Sequence, residues 1–589
     1  MSVATLIPGH DELTRPSFTV TVSGQDVTAK YGIISFVVSR HANKIAVAKV
    51  MLHDGSSADQ DFELSSGSLF KPGTKVTIKA GYAQKEKEIF EGIIVKHGIK
   101  APLHGNSVIS IELRHEAVKL TVIRKNKYFT KTTESGIMKE VLGGLAGKIQ
   151  TQNAEAEKEA VQYYSTDWDF VLSRAEANGL LAVCTDKGKV DLIDPLLPAA
   201  GVPLNLVYGD NIVDFEAEVD ARDQYGAVEA KAWSPAKQDL IKGKGSANVT
   251  TPGNFTGSEL SGALELSNYE LQHPGNLEES ELRAWASNIL MRSRLSLVRG
   301  RVRIYGTNAV KPGNQVKLGG VGERFNGLAF VSGVVHGYDV NGTWTTDIFF
   351  GLDKEPFCQK YENITDRAAA GLLPGVSGLH VGVVTKIAED PGNEFRIKVR
   401  IPVISTSEEG VWARMGYFDA GPDRGMLFRP EVNDEVVLGF INDDPRDPVI
   451  LGMLYSSKTN KVPADLKATD TKNNIKGWVT KSKIKVLFDD EKKIVTIETP
   501  GKNSIVIDDD KKSITLKDQN KNKLVLDDKG ITLESGKDII LKAAQGDVKI
   551  DGMNIKQKAQ TQFKAEGSSG AEVSSSASLT LKGGVVKIN

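Results

Sequence analysis

The chain has 589 residues, of which 25% are charged and 40% hydrophobic, and its formal net charge is −1. That length exceeds what one hydrophobic core organises, so several domains are expected, and the near-zero charge excludes the basic excess that non-specific nucleic-acid binding needs. No apolar run is long enough to cross a bilayer as a helix, and residues 1–14, with His10, Asp11 and Glu12, lack the basic start and apolar centre of a secretory leader.

In chain order, residues 17–124 alternate apolar and polar side chains in short runs, such as Phe18-Thr19-Val20-Thr21-Val22 and Lys75-Val76-Thr77-Ile78-Lys79. Period-2 alternation predicts half-buried antiparallel strands. Between Thr133 and Gly179 the period becomes helical. Ile137, Val141, Leu142 and Leu145 follow Thr133-Glu134, and Phe170, Leu172, Ala175 and Leu180 follow a candidate N-cap at Thr166-Asp167. Alternation resumes at Asn205, interrupted by a Gly- and Ser-rich stretch between Lys242 and Ser261. A helix is predicted over 278–297, with Leu282, Trp285, Ile289 and Leu290 on one face. Strands are predicted at 301–305, 315–318 and 329–336. Small residues around Pro374 make 368–378 a linker. Residues 379–455 hold five or six strand signals, enough for an OB-fold.

The tail repeats. Phe488, Ile507 and Leu526 recur every 19 residues, each followed by an Asp pair, and the return strands Val495-Thr496-Ile497 and Ile514-Thr515-Leu516 keep the period. In the third copy Ile531 and Leu533 arrive two residues early, so that turn is shorter. Shorter units follow at 539–541, 548–550, 579–581 and 585–588. A fixed-period β repeat means stacked strands that bury their faces only against neighbours. Each strand has two or three apolar residues, too few for a lone chain to bury much, and open strand edges invite pairing. The expectation is an intertwined triple-stranded β-helix, a homotrimer with Phe488, Ile507 and Leu526 on its axis.

Little in the sequence points to catalysis. Cys184 and Cys358 are expected to be free, buried thiols. All nine histidines fall at or before His380, so the last third of the chain has no thiolate or imidazole metal ligand. The Asp pairs read as turn chemistry with compensating lysines, against a ladder of Ca²⁺ or Mg²⁺ sites. Glu408-Glu409 are adjacent and point apart, unlike two carboxyls flanking one glycosidic bond. Trp412 and Phe428 could stack bases, but Asp419, Asp423, Glu431, Asp434 and Glu435 would repel phosphate. His336 and His380 read as ordinary strand histidines. No catalytic, cofactor or metal site is expected.

Three segments resemble the VgrG family and the related hub and spike proteins of contractile phage tails. They are Gln162–Arg174 with Asn178-Gly179, the run from Gly410 through Gly425–Glu431 and Asp434–Phe440 to Asp443–Gly452, and the terminal Leu581–Asn589. The resemblance implies a mainly β, multidomain chain. Its parts would be a hub β-barrel (1–125), a helical insert (126–204), a second hub β-barrel (205–367), a linker (368–378), an OB-fold (379–457), a connector (458–477) and a trimeric β-helix spike (478–589). It further implies a pseudo-six-fold hub seated on an inner tube protein and baseplate proteins, and a PAAR-type tip protein seated on Lys587, Ile588 and Asn589. Effectors would travel as separate chains, and a target membrane would be met only by piercing. Assembly would occur in the cytoplasm without a signal peptide, followed by export within an injection particle. The same architecture would serve a secretion system, an extracellular injection particle or a prophage tail. The competing function is a tail-spike or adhesin that binds or cleaves polysaccharide. It needs an aromatic groove, and past Trp478 the tail offers only Phe488 and Phe563.

Overall fold

The computed structural model describes residues 15–150, 157–197, 203–275, 277–362, 364–467 and 471–588. The leader reading at His10, Asp11 and Glu12 therefore lies outside the described residues. The chain is mainly β and multidomain, in two compact units: residues 1–377 with 440–445, and residues 378–439 with 446–589.

The first unit is built on a 13-stranded sheet. Besides the two-residue strand Gln25–Asp26, its N-terminal half comprises six longer strands, Pro16–Val22, Ile33–His41, Val47–His53, Lys75–Tyr82, Lys87–Lys100 and Val108–Arg114. Numbered one to six along the chain, these strands lie side by side in the order 2-3-6-5-4-1. Their alternating apolar residues, among them Val20, Phe36, Val50, Ile78, Ile94 and Ile111, fill one core. The sheet curls until its first and last strands meet through side chains, with Phe18 edge-on to Phe36 at 5.3 Å.

The C-terminal half comprises Leu204–Val207, Asp214–Val219, Val298–Tyr305, Gln315–Gly319, Gly327–Tyr338 and Trp344–Phe350. Numbered the same way, it too has the order 2-3-6-5-4-1. The two halves differ at the end, where the first strand is antiparallel to the fourth in one and parallel in the other. Otherwise the first unit is an internal duplication. Its halves are welded where Gly333–Tyr338 pairs antiparallel with Phe36–His41, so the two expected barrels form one continuous sheet.

Two inserts decorate the sheet. Helices Glu134–Leu142 and Asp167–Ala177 start at the predicted caps, where Thr133 and Thr166 accept the N–H groups of Gly136 and Asp169. Phe129, Ile137 and Phe170 pack beneath them. A second lobe lays helix Glu279–Leu295 over strands Ala227–Ser234, Asp239–Lys244 and Asn268–His273. The glycines that read as an interruption there serve close approach. A Cβ at Gly243 would sit 2.4 Å from the Arg283 nitrogen, and one at Gly245 would sit 2.6 Å from the Ala286 carbonyl carbon.

A buried charge cluster ties the helices to the sheet. Glu176 receives Arg292, the Asn43 amide at 2.8 Å and the Phe357 N–H at 2.5 Å. One expectation fails: Cys184 is buried and free, but Cys358 is exposed, because it sits on the short helix Phe357–Lys360, which has no buried residue. Among the described residues no helix is long and apolar enough to cross a membrane.

In the second unit, His380–Lys386, Ile397–Arg400, Val411–Met415, Pro448–Met453 and Glu435–Phe440 close a five-stranded barrel. Val384, Ile397, Val399, Ala413, Val436, Leu438 and Ile450 are among its buried residues. After it comes a seven-stranded meander of five-residue strands from Ile475–Val479 to Gly530–Glu534. The expected strands at 539–541, 548–550, 579–581 and 585–588 do not form within the single chain. The physical reason is partner supply: a strand needs a hydrogen-bonding neighbour, and the described residues provide none there.

Candidate functional site

The meander is where the sequence placed its candidate residues, and its geometry follows from turn lengths. Register partners Asp489↔Ile494, Glu498↔Ser504, Asp508↔Ser513 and Lys517↔Lys523 leave turns of alternately four and five residues. Two five-residue strands plus one turn of each kind complete the 19-residue period. The early third copy is explained by Asp527↔Gly530, a two-residue turn. Asp489, Asp508 and Asp527 act as turn acceptors for the N–H groups of Lys492, Lys511 and Lys529 at 3.0, 3.0 and 2.9 Å. Lys511 also reaches the Asp508 carboxylate at 2.8 Å, a contact that holds this carboxyl below its ordinary range. The turns have a cost. Lys483, Lys493, Lys502, Lys512 and Lys521 all have φ between 47° and 73°, the left-handed region that favours glycine.

The register sorts side chains by face. Phe488, Val495, Ile507, Ile514, Leu526 and Ile531 are successive cross-strand partners, so Phe488, Ile507 and Leu526 share one row across the sheet. The row beside it, Val486, Ile497, Ile505, Leu516, Leu524 and Leu533, sits two positions from the first at every strand; the sequence shows it as the second apolar residue of each repeat strand without assigning it to the axis. Together they make an apolar face of twelve residues without a polar member. The opposite face runs through Leu487, Thr496, Val506, Thr515, Val525 and Thr532 and is flanked by Lys, Asp, Glu and Ser.

The twelve-residue face is uncovered in the single chain. Ile507 is 42% exposed, Leu533 54% and Ile531 75%. At its upper end Trp478 stands 6.2 Å from Phe488 and 6.5 Å from Phe428, ring to ring. Opposite charges brace the rim, with Lys485 between Asp465 at 3.3 Å and Glu498 at 3.4 Å, and Lys523 on Glu534 at 2.7 Å. The other predicted site is not brought together. Lys587 and Ile588 are exposed and belong to no strand, and Asn589 lies outside the described residues.

Elsewhere three histidines are drawn into the first unit's interior. His336 is fully buried on Gly327–Tyr338, its Nδ1 3.1 Å from the Thr346 hydroxyl, and burial pushes its pKa down to about 3. Burial likewise takes His41 and His115 to about 4. Among the described residues no group of three or more His, Cys, Asp or Glu side chains is arranged to hold a metal ion.

Three family models match the chain. The Alg8 N-terminal domain matches residues 12–339, the type VI secretion system/phage-baseplate injector OB domain residues 380–455, and the phage baseplate V C-terminal trimerisation domain residues 494–589. The type VI secretion system spike protein VgrG3 of Vibrio cholerae serotype O1 is 31% identical over 120 residues, which is 19% of this chain. The match spans only 11% of that relative's length. Among solved structures, the 43 kDa tail protein of prophage MuSo2 from Shewanella oneidensis is 13% identical at a TM-score of 0.43, covering 58% of this chain and 98% of that one. The E. coli c3393 protein, a component of the type VI secretion system, is 13% identical at a TM-score of 0.35, covering 74% and 99%. A chain of the Francisella PdpA–VgrG complex is 10% identical at a TM-score of 0.38, covering 89% and 80%.

Proposed function

We propose, from the premise that this chain belongs to the Alg8 N-terminal domain family and to the VgrG and phage-baseplate V family of spike proteins, that it works as a homotrimeric hub and spike driven through a target envelope. The observation that carries this reading is the bare apolar face of the tail. Twelve aligned apolar residues on one side of a seven-stranded sheet are a liability in a monomer. Three copies turned inward would give each face a dry neighbour and put the charged face outside. The matched trimerisation domain, residues 494–589, supports three copies in particular. The segment past Glu534, without strand partners of its own, would find them in the other two chains.

In this reading the machine performs no covalent chemistry. It transmits load from a sheath-driven tube through the duplicated hub to the tail. The hub would sit on an inner tube protein among baseplate proteins, and Lys587, Ile588 and Asn589 would seat a PAAR-type tip protein or effectors. Assembly would take place in the cytoplasm, followed by export within the injection particle. Support for a non-enzymatic role comes from the charged groups of the first unit. The Glu176–Arg292 pair is buried, with Glu176 also taking the Asn43 amide and the Phe357 N–H and Arg292 also donating to the Asp353 carbonyl, as suits a tie.

The test is sedimentation velocity and negative-stain imaging of the purified full chain. A trimer of uniform outline with a narrow shaft is expected. A monomer at micromolar concentration, or turnover of envelope polysaccharide or of an activated sugar donor, would overturn the proposal. Turnover would also revive the tail-spike alternative.

A further inference from the structure

The first unit contains a cavity of 580 Å³, a size within the roughly 300–1,000 Å³ of small-molecule sites. It opens where the turn between Ile33–His41 and Val47–His53 meets the first turn of helix Asp167–Ala177. Residues 357–364 cross it as a strap tied at both ends. The Phe357 N–H donates to Glu176 at 2.5 Å, and Arg124 donates to the Ile364 carbonyl at 3.0 Å. The cavity lies within one chain and does not depend on the homotrimer.

Its walls combine rings with charges of both signs. Trp168, Phe357 and Tyr361 supply aromatic surface, and the last two rings meet at 5.2 Å with their planes 43° apart. Trp168 is only 5% exposed, yet its indole N–H has no acceptor among the described residues and is not sealed from solvent. Buried indoles normally find a partner. His41, kept neutral by burial, adds a ring without charge. Asp169 and Glu362 line the cavity and form no ion pair among the described residues, and the same holds for Lys44. Arg114 commits Nε and Nη2 to Glu112 at 2.9 and 2.7 Å, which leaves Nη1 for another acceptor.

We infer that this cavity binds a zwitterion of the phosphocholine type, a phosphate joined through a short link to an alkylated ammonium, either free or as a lipid headgroup. The charges decide among ligand classes. An anion alone would meet Asp169 and Glu362, a cation alone would meet Lys44 and Arg114, and an uncharged apolar ligand would desolvate all four without compensation. Aromatic faces attract alkylated ammonium groups, so three rings beside two carboxylates suit that end of the ligand better than the strongly hydrated ammonium of an amino acid. Lys44 and the spare Arg114 N–H suit the phosphate, and the Trp168 N–H offers it a further donor.

The test is calorimetric titration of the purified full chain with glycerophosphocholine. Saturable binding is expected, with choline, glycerol phosphate and glycerophosphoethanolamine each about tenfold weaker or more. Tyr361→Ala and Lys44→Glu are each expected to weaken glycerophosphocholine about tenfold, while Tyr361→Phe, which keeps the ring, should retain it. Flotation with phosphatidylcholine vesicles, competed by glycerophosphocholine, would identify a lipid source; calorimetric binding without flotation would identify the free zwitterion. No saturable heat up to about 10 mM, the outcome if a neighbouring copy fills the recess, overturns the assignment. Equal affinity for glycerol phosphate, or wild-type affinity in both weakened variants, overturns it as well. Circular dichroism and sedimentation of each variant check that these exposed substitutions leave fold and assembly intact.

Discussion

Replacing Ile507 by aspartate is the sharpest probe of the tail. Ile507 sits mid-row on the apolar face and is 42% exposed in one chain. Completing its burial is worth about 1 kcal/mol per chain, from the ~25 cal/mol per Å² that apolar surface gains on leaving water. In the proposed trimer Ile507→Asp would remove that gain and put three carboxylates on a shared dry seam, where desolvation costs several kcal/mol per ion. The sum is on the order of 10 kcal/mol per trimer, close to the ~12 kcal/mol that separates a nanomolar complex from its parts. The variant is therefore expected to run as a monomer in sedimentation velocity at pH 8 and to regain trimer below about pH 4, where carboxyls protonate. Thr515→Asp is the control, since Thr515 lies on the neighbouring strand but on the opposite face, and it should remain trimeric. If the two variants sediment alike, the assignment of faces to inside and outside is wrong.

Four further outcomes are expected. Lys502→Gly and Lys521→Gly relieve left-handed backbone at φ 67° and 73° and should each stabilise the tail by about 0.5–1 kcal/mol per chain, seen as a higher melting temperature. His41, His115 and His336 have folded pKa values of about 4, 4 and 3, below the unfolded value near 6.5. The unfolded chain therefore binds more protons, and stability is lost as pH falls from about 6.5 toward 4, by about 2 kcal/mol per histidine at pH 5; urea midpoints for the first unit should drop accordingly. Glu176→Ala strands Arg292, which is 4% exposed, and should cost about 3–5 kcal/mol, whereas a thiol reagent should modify exposed Cys358 quickly and buried Cys184 only on unfolding.

Local signals carried much of this architecture. The Thr133 and Thr166 caps, the helix through Leu282 and Ile289, and the five barrel strands were legible because each depends on residues within a few positions. The apolar row of Phe488, Ile507 and Leu526 was legible because the repeat is long and regular. What escaped depends on contacts far apart in the chain. The weld between Gly333–Tyr338 and Phe36–His41 joins segments about 300 residues apart, and no short-range pattern encodes it. A trace of the duplication was nevertheless present: Lys71-Pro72-Gly73 and Lys311-Pro312-Gly313 precede equivalent strands, with φ of 93° and 91° at the glycines. Exposure of Cys358 was missed because a thiol's burial is set by its helix, and Phe357–Lys360 is too short to bury a face.

The alternation of four- and five-residue turns makes the tail a ruler. Each 19-residue period adds two strands, roughly 10 Å at the spacing of hydrogen-bonded neighbours, and leaves inside and outside unchanged. Excising one whole period should shorten the needle by one graduation and keep it sound, while removing a single residue would invert every side chain beyond the cut. The length of the tail can thus be tuned in fixed steps by gaining or losing whole repeats.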